Sequence, residues 1–407
     1  MKGKLTISIP SILMIMLFII QFVSFPYFPW YDTIKYGFIV IIGVFVLRRY
    51  KVFLNKKYRI INCLAILFGG LTIYSSFINR NQTIERNPFL SAIIFVITYL
   101  LFLFFIEIMV ERKKIKKMID VFYKTAFIIA ILTDIIMFLK PELVSIHGNN
   151  YFIGTKFRVV YLHLILIALY LAKLNFQSHQ KKFQTKRMLS LSIWSILVGL
   201  YVKCATGVVG LLLLYPFIHI INKNKRILLN WIPFTIVQLF CFSFVYINEL
   251  ILNNPLIQSF ILHVLKRDIT LTARTRIFNM VPELLTGNTV WGFGYGTSYE
   301  LGMKLGGFPN TQNAVLEWIW QVGIHITIIM LIMFAFILYF TSKNLNDTNK
   351  NAVIPILACI YIMTVLGMVE ITIDSIYFAL LILILGMSME ECKSKKREML
   401  YDYKENA

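Results

Sequence analysis

Apolar stretches recur along the whole chain, near positions 5–25, 31–47, 60–78, 89–110, 119–139, 159–174, 188–203, 205–221, 227–247, 313–340, 352–369 and 375–389. A stretch of about 20 apolar residues is what an α-helix needs to cross a bilayer. The pattern therefore predicts an all-α, polytopic integral membrane protein of about 12 transmembrane helices. Positions 1–407 form one membrane domain with no room for a soluble domain of ordinary size. The stretches on either side of Lys203-Cys204-Ala205-Thr206-Gly207 have almost no loop between them, so they read either as two spans or as a re-entrant turn. One segment breaks the rhythm: Asn248 to Asn310 is a polar, Gly-rich run of 63 residues. There is no internal repeat, which weighs against a transporter built from inverted repeats.

Composition agrees: 58% of residues are hydrophobic, against about 45–50% in a soluble protein. The net charge of +21 would suggest nucleic acid, but the basic residues sit in short clusters between apolar stretches. With the N-terminus inside, the inner connections hold 27 of the 41 lysines and arginines and the outer connections 11. This is the positive-inside bias, so both termini are expected in the cytoplasm, with 248–310 as a large extracytoplasmic loop and 390–407 as a cytoplasmic tail. Met1, Lys2 and Lys4 before an apolar run resemble a signal peptide, but no small-residue cleavage site follows, so the run reads as a retained first helix.

The outer cations go against that bias, and cations placed so usually hold something anionic. Arg274 and Arg276 lie in Thr272-Ala273-Arg274-Thr275-Arg276. Arginine grips phosphate through a planar fork of donors. Spaced i, i+2 in a loop or strand, the two would project the same way, whereas on a helix they would diverge by about 160°. Substrate binding, contact with headgroups, and salt bridges to Glu283 or Asp268 all fit. Lys266 and Arg267 lie just upstream. A second basic site, Tyr151-Phe152-Ile153-Gly154-Thr155-Lys156-Phe157-Arg158, repeats the i, i+2 spacing; it reads as substrate binding or as interfacial anchoring. Lys203 is a third, or a lysine that snorkels to the headgroups.

Between Pro282 and Gly307, seven glycines alternate with Trp291, Phe293, Tyr295 and Tyr299. This suits sugar rings stacking on aromatic faces, and equally a tightly folded loop. No βαβ unit surrounds it, so it is not a dinucleotide fingerprint. Gln312, Asn313 and Glu317 open the next apolar stretch, with Asn313 and Glu317 on one helical face. A carboxylate one turn inside a membrane helix is costly and faces a cavity or a partner. Glu317 is thus either a general base for a sugar hydroxyl or a salt-bridge partner for an arginine above. Glu107 reads as structural, and Asp134 is a weaker intramembrane candidate. Five scattered cysteines and six unpaired histidines offer no metal spacing, and no Walker, kinase or serine-nucleophile motif is present. No metal and no cofactor are expected, and an outward-facing enzyme would need an activated donor delivered in the membrane.

These residues resemble the O-antigen polymerase and ligase superfamily, most closely the Wzy-type capsule and exopolysaccharide polymerases. Arg276, ten residues and Gly287 look like the family's R-x10-G pattern, and Trp291–Gly296 like the Gly-x-Gly-x-Gly stretch after it. Gln312 to Gly323 is similar to the His-Asn-x-x-Leu segment, Tyr151–Arg158 to an outer-loop motif, and Lys203–Gly207 to a Ser-x-Thr-Gly turn. The family's His is Gln312 here and its Asn is Phe157, so a histidine base does not carry over. The resemblance implies a GT-C-like arrangement in the cytoplasmic (inner) membrane of a bacterium. It implies metal-independent transfer of a growing glycan from a polyprenyl-diphosphate-linked oligosaccharide onto the next repeat unit, beside membrane lipid and with flippase and chain-length regulator proteins as partners. Arg274, Arg276, Lys156 and Arg158 would hold the diphosphate, and Lys203 and Arg267 would be further substrate-binding residues; Gln312, Asn313 and Glu317 would orient or activate the acceptor. A flippase for the same lipid is the rival reading, and would want its charges midway along several helices. A ligase shares the fold, and an acyltransferase would need a histidine motif that the chain lacks.

Overall fold

The computed structural model describes residues 8–26, 28–140, 150–176, 181–259, 262–263 and 274–390. In chain order the helices are α1 (Ile9–Phe22), α2 (Tyr31–Leu47), α3 (Arg59–Ile78), α4 (Pro88–Glu111) and α5 (Ile115–Leu139). A two-residue hairpin, β1 (Asn150–Tyr151) with β2 (Gly154–Thr155), leads into α6 (Lys156–Phe176). Then come α7 (Lys181–Tyr201), α8 (Ala205–Lys223), α9 (Lys225–Leu228), α10 (Trp231–Leu252), α11 (Pro255–Ser259), α12 (Arg274–Leu284) and α13 (Ser298–Gly306). The chain ends on α14 (Ala314–Val322), α15 (Ile324–Asn344), α16 (Asp347–Leu366) and α17 (Ser375–Met389). Eight of these (α3, α4, α5, α6, α8, α10, α15 and most of α16) are long and apolar enough to cross a membrane, and α1 and α17 are shorter apolar helices.

Local chemistry sets the helix starts. Asn87 accepts from the Phe89 and Leu90 amides ahead of Pro88, and Asp374 accepts from the Ile376 and Tyr377 amides. Each satisfies donors that a helix N-terminus leaves free. The core is centred on α6, α16 and α17, whose residues are buried on all sides. Outer helices instead expose apolar faces, with Val40 of α2, Leu197 of α7 and Ile236 of α10 each about 60% accessible. Water would penalise such faces and hydrocarbon does not.

Hydrogen bonds sort the connections to two ends of the bundle. At one, Ser75 Oγ donates to Trp291 O (2.5 Å), the Ile84 amide to Glu300 (2.6 Å), and Arg158 and Arg274 meet the α16–α17 connector. At the other, Tyr58 bonds Glu111 (3.1 Å), Asn175 bonds Asn351 O (2.8 Å), and the Ile115 amide bonds Glu390 (3.1 Å). The long polar segment belongs to the first, here termed the loop end.

Two expectations need correcting. The apolar run 313–340 is not one helix: it breaks at Gly323 (φ +88°) into α14 and α15. A Cβ there would lie 1.9 Å from Val290 O, so only glycine fits. The polar segment starts later than its composition suggests, because α10 runs on to Leu252. The stretch around Lys203 is a tight turn between α7 and α8, with Lys203 in the left-handed region (φ +53°).

Candidate functional site

The connector 367–374 between α16 and α17 is the centre of the site, and no sequence motif had marked it. It is pinned from below: the Ala314 amide donates to Gly367 O (2.8 Å), Trp318 Nε1 to Ile373 O (2.7 Å) and Asn313 Nδ2 to Met368 O (3.3 Å). Among the described residues, each of its two carboxylates holds an arginine. Arg274 Nη2 donates to Glu370 Oε1 at 2.6 Å, and Arg158 Nη2 to Asp374 Oδ2 at 2.8 Å. Thr206, at the start of α8, also reaches Glu370 Oε1 (3.4 Å). Arg274 Nε donates to Gln312 Oε1 (3.1 Å), whose own Nε2 is held by Asn310 Oδ1 (2.7 Å).

Four motifs far apart in sequence thus meet on eight residues: Arg158, the Lys203–Gly207 turn through Thr206, Arg274, and the segment after Gln312 through Asn313 and Ala314. Tyr161 lies one turn along α6 from Arg158. Its hydroxyl feels the charges of Glu370, Asp374 and Arg158 and is buried with no hydrogen-bond partner among the described residues. Such a group costs about 1–3 kcal/mol unless something supplies a partner. Gln312 sits in the left-handed region (φ +58°), so it and Lys203 are two of the three non-glycine residues with positive φ among the described residues. Backbone held this way clusters at functional sites.

Beside the Arg158–Asp374 pair is a cavity of about 230 Å³ lined in part by Gln21, Lys35, Ser91, Thr98, Tyr295 and Ser375. The Arg158 charge reaches Lys35. Gln21 donates to Thr98 O (2.9 Å), while its Oε1 is buried without a partner. Amide, hydroxyl and aromatic groups converging on a small volume suit a polyhydroxylated ring.

Other expected site residues are placed differently. Arg274 and Arg276 do not project together, because the pair begins α12 rather than lying in a loop. Arg274 turns inward, whereas Arg276 is exposed and makes no ion pair among the described residues. Lys156 and Arg158 diverge in the same way at the start of α6: Arg158 reaches Asp374, and Lys156 Nζ lies 5.7 Å from the Phe157 ring centre. Lys203 is exposed beside Thr206. Asn313 is the N-cap of α14, accepting from the Val315 and Leu316 amides. Glu317 pairs with no arginine among the described residues; Arg274 meets Glu370 instead. The Glu317 oxygens accept from the Thr311 amide (3.0 Å), the Thr311 hydroxyl (2.9 Å) and Gln321 Nε2 (2.8 Å), and the side chain is buried. This clamp fastens the turn before α14. Lys266, Arg267 and Asp268 lie outside the described residues.

The Gly-rich stretch is a folded plug. The Phe293 and Gly294 amides cap Trp320 O (2.8 Å) and Gln321 O (2.7 Å) where α14 ends, and the Gly296 amide bonds Gln321 Oε1 (2.9 Å). Phe293 packs on Trp320, and Tyr295 stacks on Phe95. Burial pushes the Tyr295 phenol well above its ordinary value. Of the four aromatics, Tyr299 alone is left fully exposed for stacking.

Asp134 is buried 3.5 Å from His163 Nε2, and His163 Nδ1 is 3.2 Å from Ser195 Oγ, away from the connector. Glu107 is held by Asn62 (3.4 Å) near the other end. Among the described residues, no three His, Cys, Asp or Glu side chains gather as metal ligands would. No protein-family model matches the chain, and no curated protein matches it significantly.

Glu370 and Asp374 escaped the sequence reading because they fall in a five-residue gap between two apolar stretches. The available signal was electrostatic: two acids in a short outer connector opposite an excess of outer cations.

Proposed function

We propose that the chain is a membrane glycosyltransferase of the Wzy type, with a GT-C-like arrangement of helices. It would polymerise polyprenyl-diphosphate-linked oligosaccharide repeat units on the outer face of a bacterial cytoplasmic membrane. The observation that carries this reading is the convergence of Arg158, Thr206 and Arg274, the last braced by Gln312, on the connector that bears Glu370 and Asp374. Arginine forks held in partly buried ion pairs suit a diphosphate, whose negative charge grows as it leaves.

In this mechanism the diphosphate takes over the Arg274 guanidinium, with the Tyr161 hydroxyl as a further donor. Glu370 thereby gives up this cation and becomes more basic, while Thr206 keeps it in place. Its carboxylate accepts the proton of the acceptor sugar hydroxyl. The acceptor oxygen then bonds to the donor's anomeric carbon, the bond from that carbon to the diphosphate oxygen breaks, and the electron pair leaves on the diphosphate. Gln312 cannot act as a base and serves to aim Arg274. The cavity beside Arg158 takes a sugar ring of the repeat unit.

The test is reconstitution in lipid vesicles with lipid-linked repeat units, EDTA and no nucleotide, the products being resolved by length. A ladder of glycans is expected from the native protein, with none from Arg274→Ala and a ladder from Arg276→Ala. Movement of the lipid between leaflets without any ladder would replace this reading by a transporter. A fully active Arg274→Ala would remove the diphosphate role.

A further inference from the structure

At the end of the bundle opposite the candidate site, α1, α2 and the last turn of α4 enclose a groove of about 760 Å³. Its walls are apolar, with Leu13 from α1 and Val40, Val44 and Phe45 from α2. Its rim is cationic, carrying Arg48, Arg49 and Arg112. Arg49 and Arg112 lie over the same ring, 4.1 Å and 5.6 Å from the Phe45 centre, and Arg49 Nη1 also donates to Phe45 O (3.1 Å).

None of the three arginines pairs with a carboxylate among the described residues. The neighbouring acid, Glu111, is instead engaged by Tyr58 (3.1 Å) and Asn55 (3.4 Å). Burial first, and then the charges of Arg112 and Arg48, push the Arg49 guanidinium below its ordinary value. Like charges so placed repel unless an anion sits among them. Positive-inside bias accounts for basic residues at this end, but not for three guanidiniums, two of them over one aromatic ring, gathered at the mouth of an apolar groove. The other cations nearby, Lys51, Lys56 and Lys57, are exposed and do not line it.

We infer that this groove is a binding site for an anionic glycerophospholipid, its phosphate held by Arg48, Arg49 and Arg112 and an acyl chain laid along the apolar walls between α1 and α2. A guanidinium cluster matches phosphate geometry, and basic pockets between membrane helices bind acidic headgroups. The occupant is a lipid rather than free phosphate, because the larger part of the groove is hydrocarbon-lined and continuous with the apolar faces of Ile9, Val40 and Leu47, each more than 60% accessible. The site is independent of the polymerase reading.

The test is native mass spectrometry of the full chain released from detergent micelles containing phosphatidylglycerol or phosphatidylcholine. The native protein is expected to retain one phosphatidylglycerol at least five-fold more often than phosphatidylcholine. Arg48→Gln/Arg49→Gln/Arg112→Gln should fall to the phosphatidylcholine level. Lys51→Gln/Lys56→Gln/Lys57→Gln, which removes as much charge at the same end, should not. Val44→Trp, which fills the groove and keeps the arginines, should also lose the lipid, so the inference stays testable even if the triple arginine variant fails to fold. Equal retention of the two lipids, or equal loss in the lysine variant, would overturn the site. Displacement of the lipid by inorganic phosphate alone would overturn the lipid assignment.

Discussion

Breaking the Arg274–Glu370 pair from either side should cost more than removing both partners. The side chains are 14% and 10% accessible and their closest atoms are 2.6 Å apart. Coulomb's law at an effective dielectric near 20 gives ~6 kcal/mol at that separation. The desolvation of two partly buried charges takes back much of this, leaving a coupling of about 2–3 kcal/mol. Arg274→Ala strands the Glu370 carboxylate beside Thr206, and Glu370→Ala strands the guanidinium beside Gln312. Each single variant should lose about 3 kcal/mol, and the double variant clearly less than their sum. The assay is reversible unfolding of the purified protein in mixed micelles, run as a double-mutant cycle with Gln312→Ala as a third arm. Additive losses, with a coupling below about 0.5 kcal/mol, would refute the pair as an energetic element and return Arg274 to the status of a surface cation.

Three further outcomes test the placement of the surrounding groups. Asp374→Asn keeps the N-cap of α17 but loses the Arg158 ion pair; because that pair is about a third exposed, the variant should cost under about 1 kcal/mol, and Asp374→Ala about 1 kcal/mol more by the same unfolding assay. Gly323→Ala and Gly287→Ala both place an alanine at φ +88°, but only at Gly323 does the new Cβ meet backbone. Membrane-inserted, folded protein should vanish for the first, and the second should lose only about 1–2 kcal/mol. Glu317→Gln loses one acceptor of the clamp on Thr311 and Gln321 and should destabilise by about 1–3 kcal/mol while leaving the activity per folded molecule intact; a stable but inactive variant would restore Glu317 as a base.

The helices and the long polar segment were legible because apolar runs of bilayer length report directly on burial in lipid. The basic motifs were legible too, since cations against the positive-inside bias stand out in sequence. The orientation of the paired cations was not. An i, i+2 spacing implies a shared direction only in extended chain, and both pairs begin helices, which sends Arg276 to the surface and Lys156 toward Phe157. The break at Gly323 was hidden because the flanking residues are apolar on both sides, and a close approach by Val290 O, 33 residues earlier, leaves no mark on periodicity. Glu370 and Asp374 were hidden for a related reason: a carboxylate's partner is a tertiary fact, and theirs lie 96 and 216 positions away.

That arrangement also bears on why the cations of the loop end are neutralised at all. An unpaired arginine in a partly buried recess would carry a desolvation cost at all times, and a permanently satisfied one would have no affinity left for a ligand. The connector resolves this by offering acids that are themselves anchored: Asp374 by the α17 amides, and Glu370 by Thr206 and by the bonds that pin residues 367–373 to α14. On the proposed function, the guanidiniums are thereby aimed before a substrate arrives, and exchanging a carboxylate for a phosphate oxygen would swap one charged partner for another, at small net desolvation. The plug at 287–296 serves the same end. It caps α14, holds the turn that carries Gln312, and so fixes Arg274 through a chain of hydrogen bonds that begins in the backbone of the loop. On the proposed function, an anion site at a membrane surface would need rigidity in the loop and exchangeability in the connector, and separate parts of the chain would supply them.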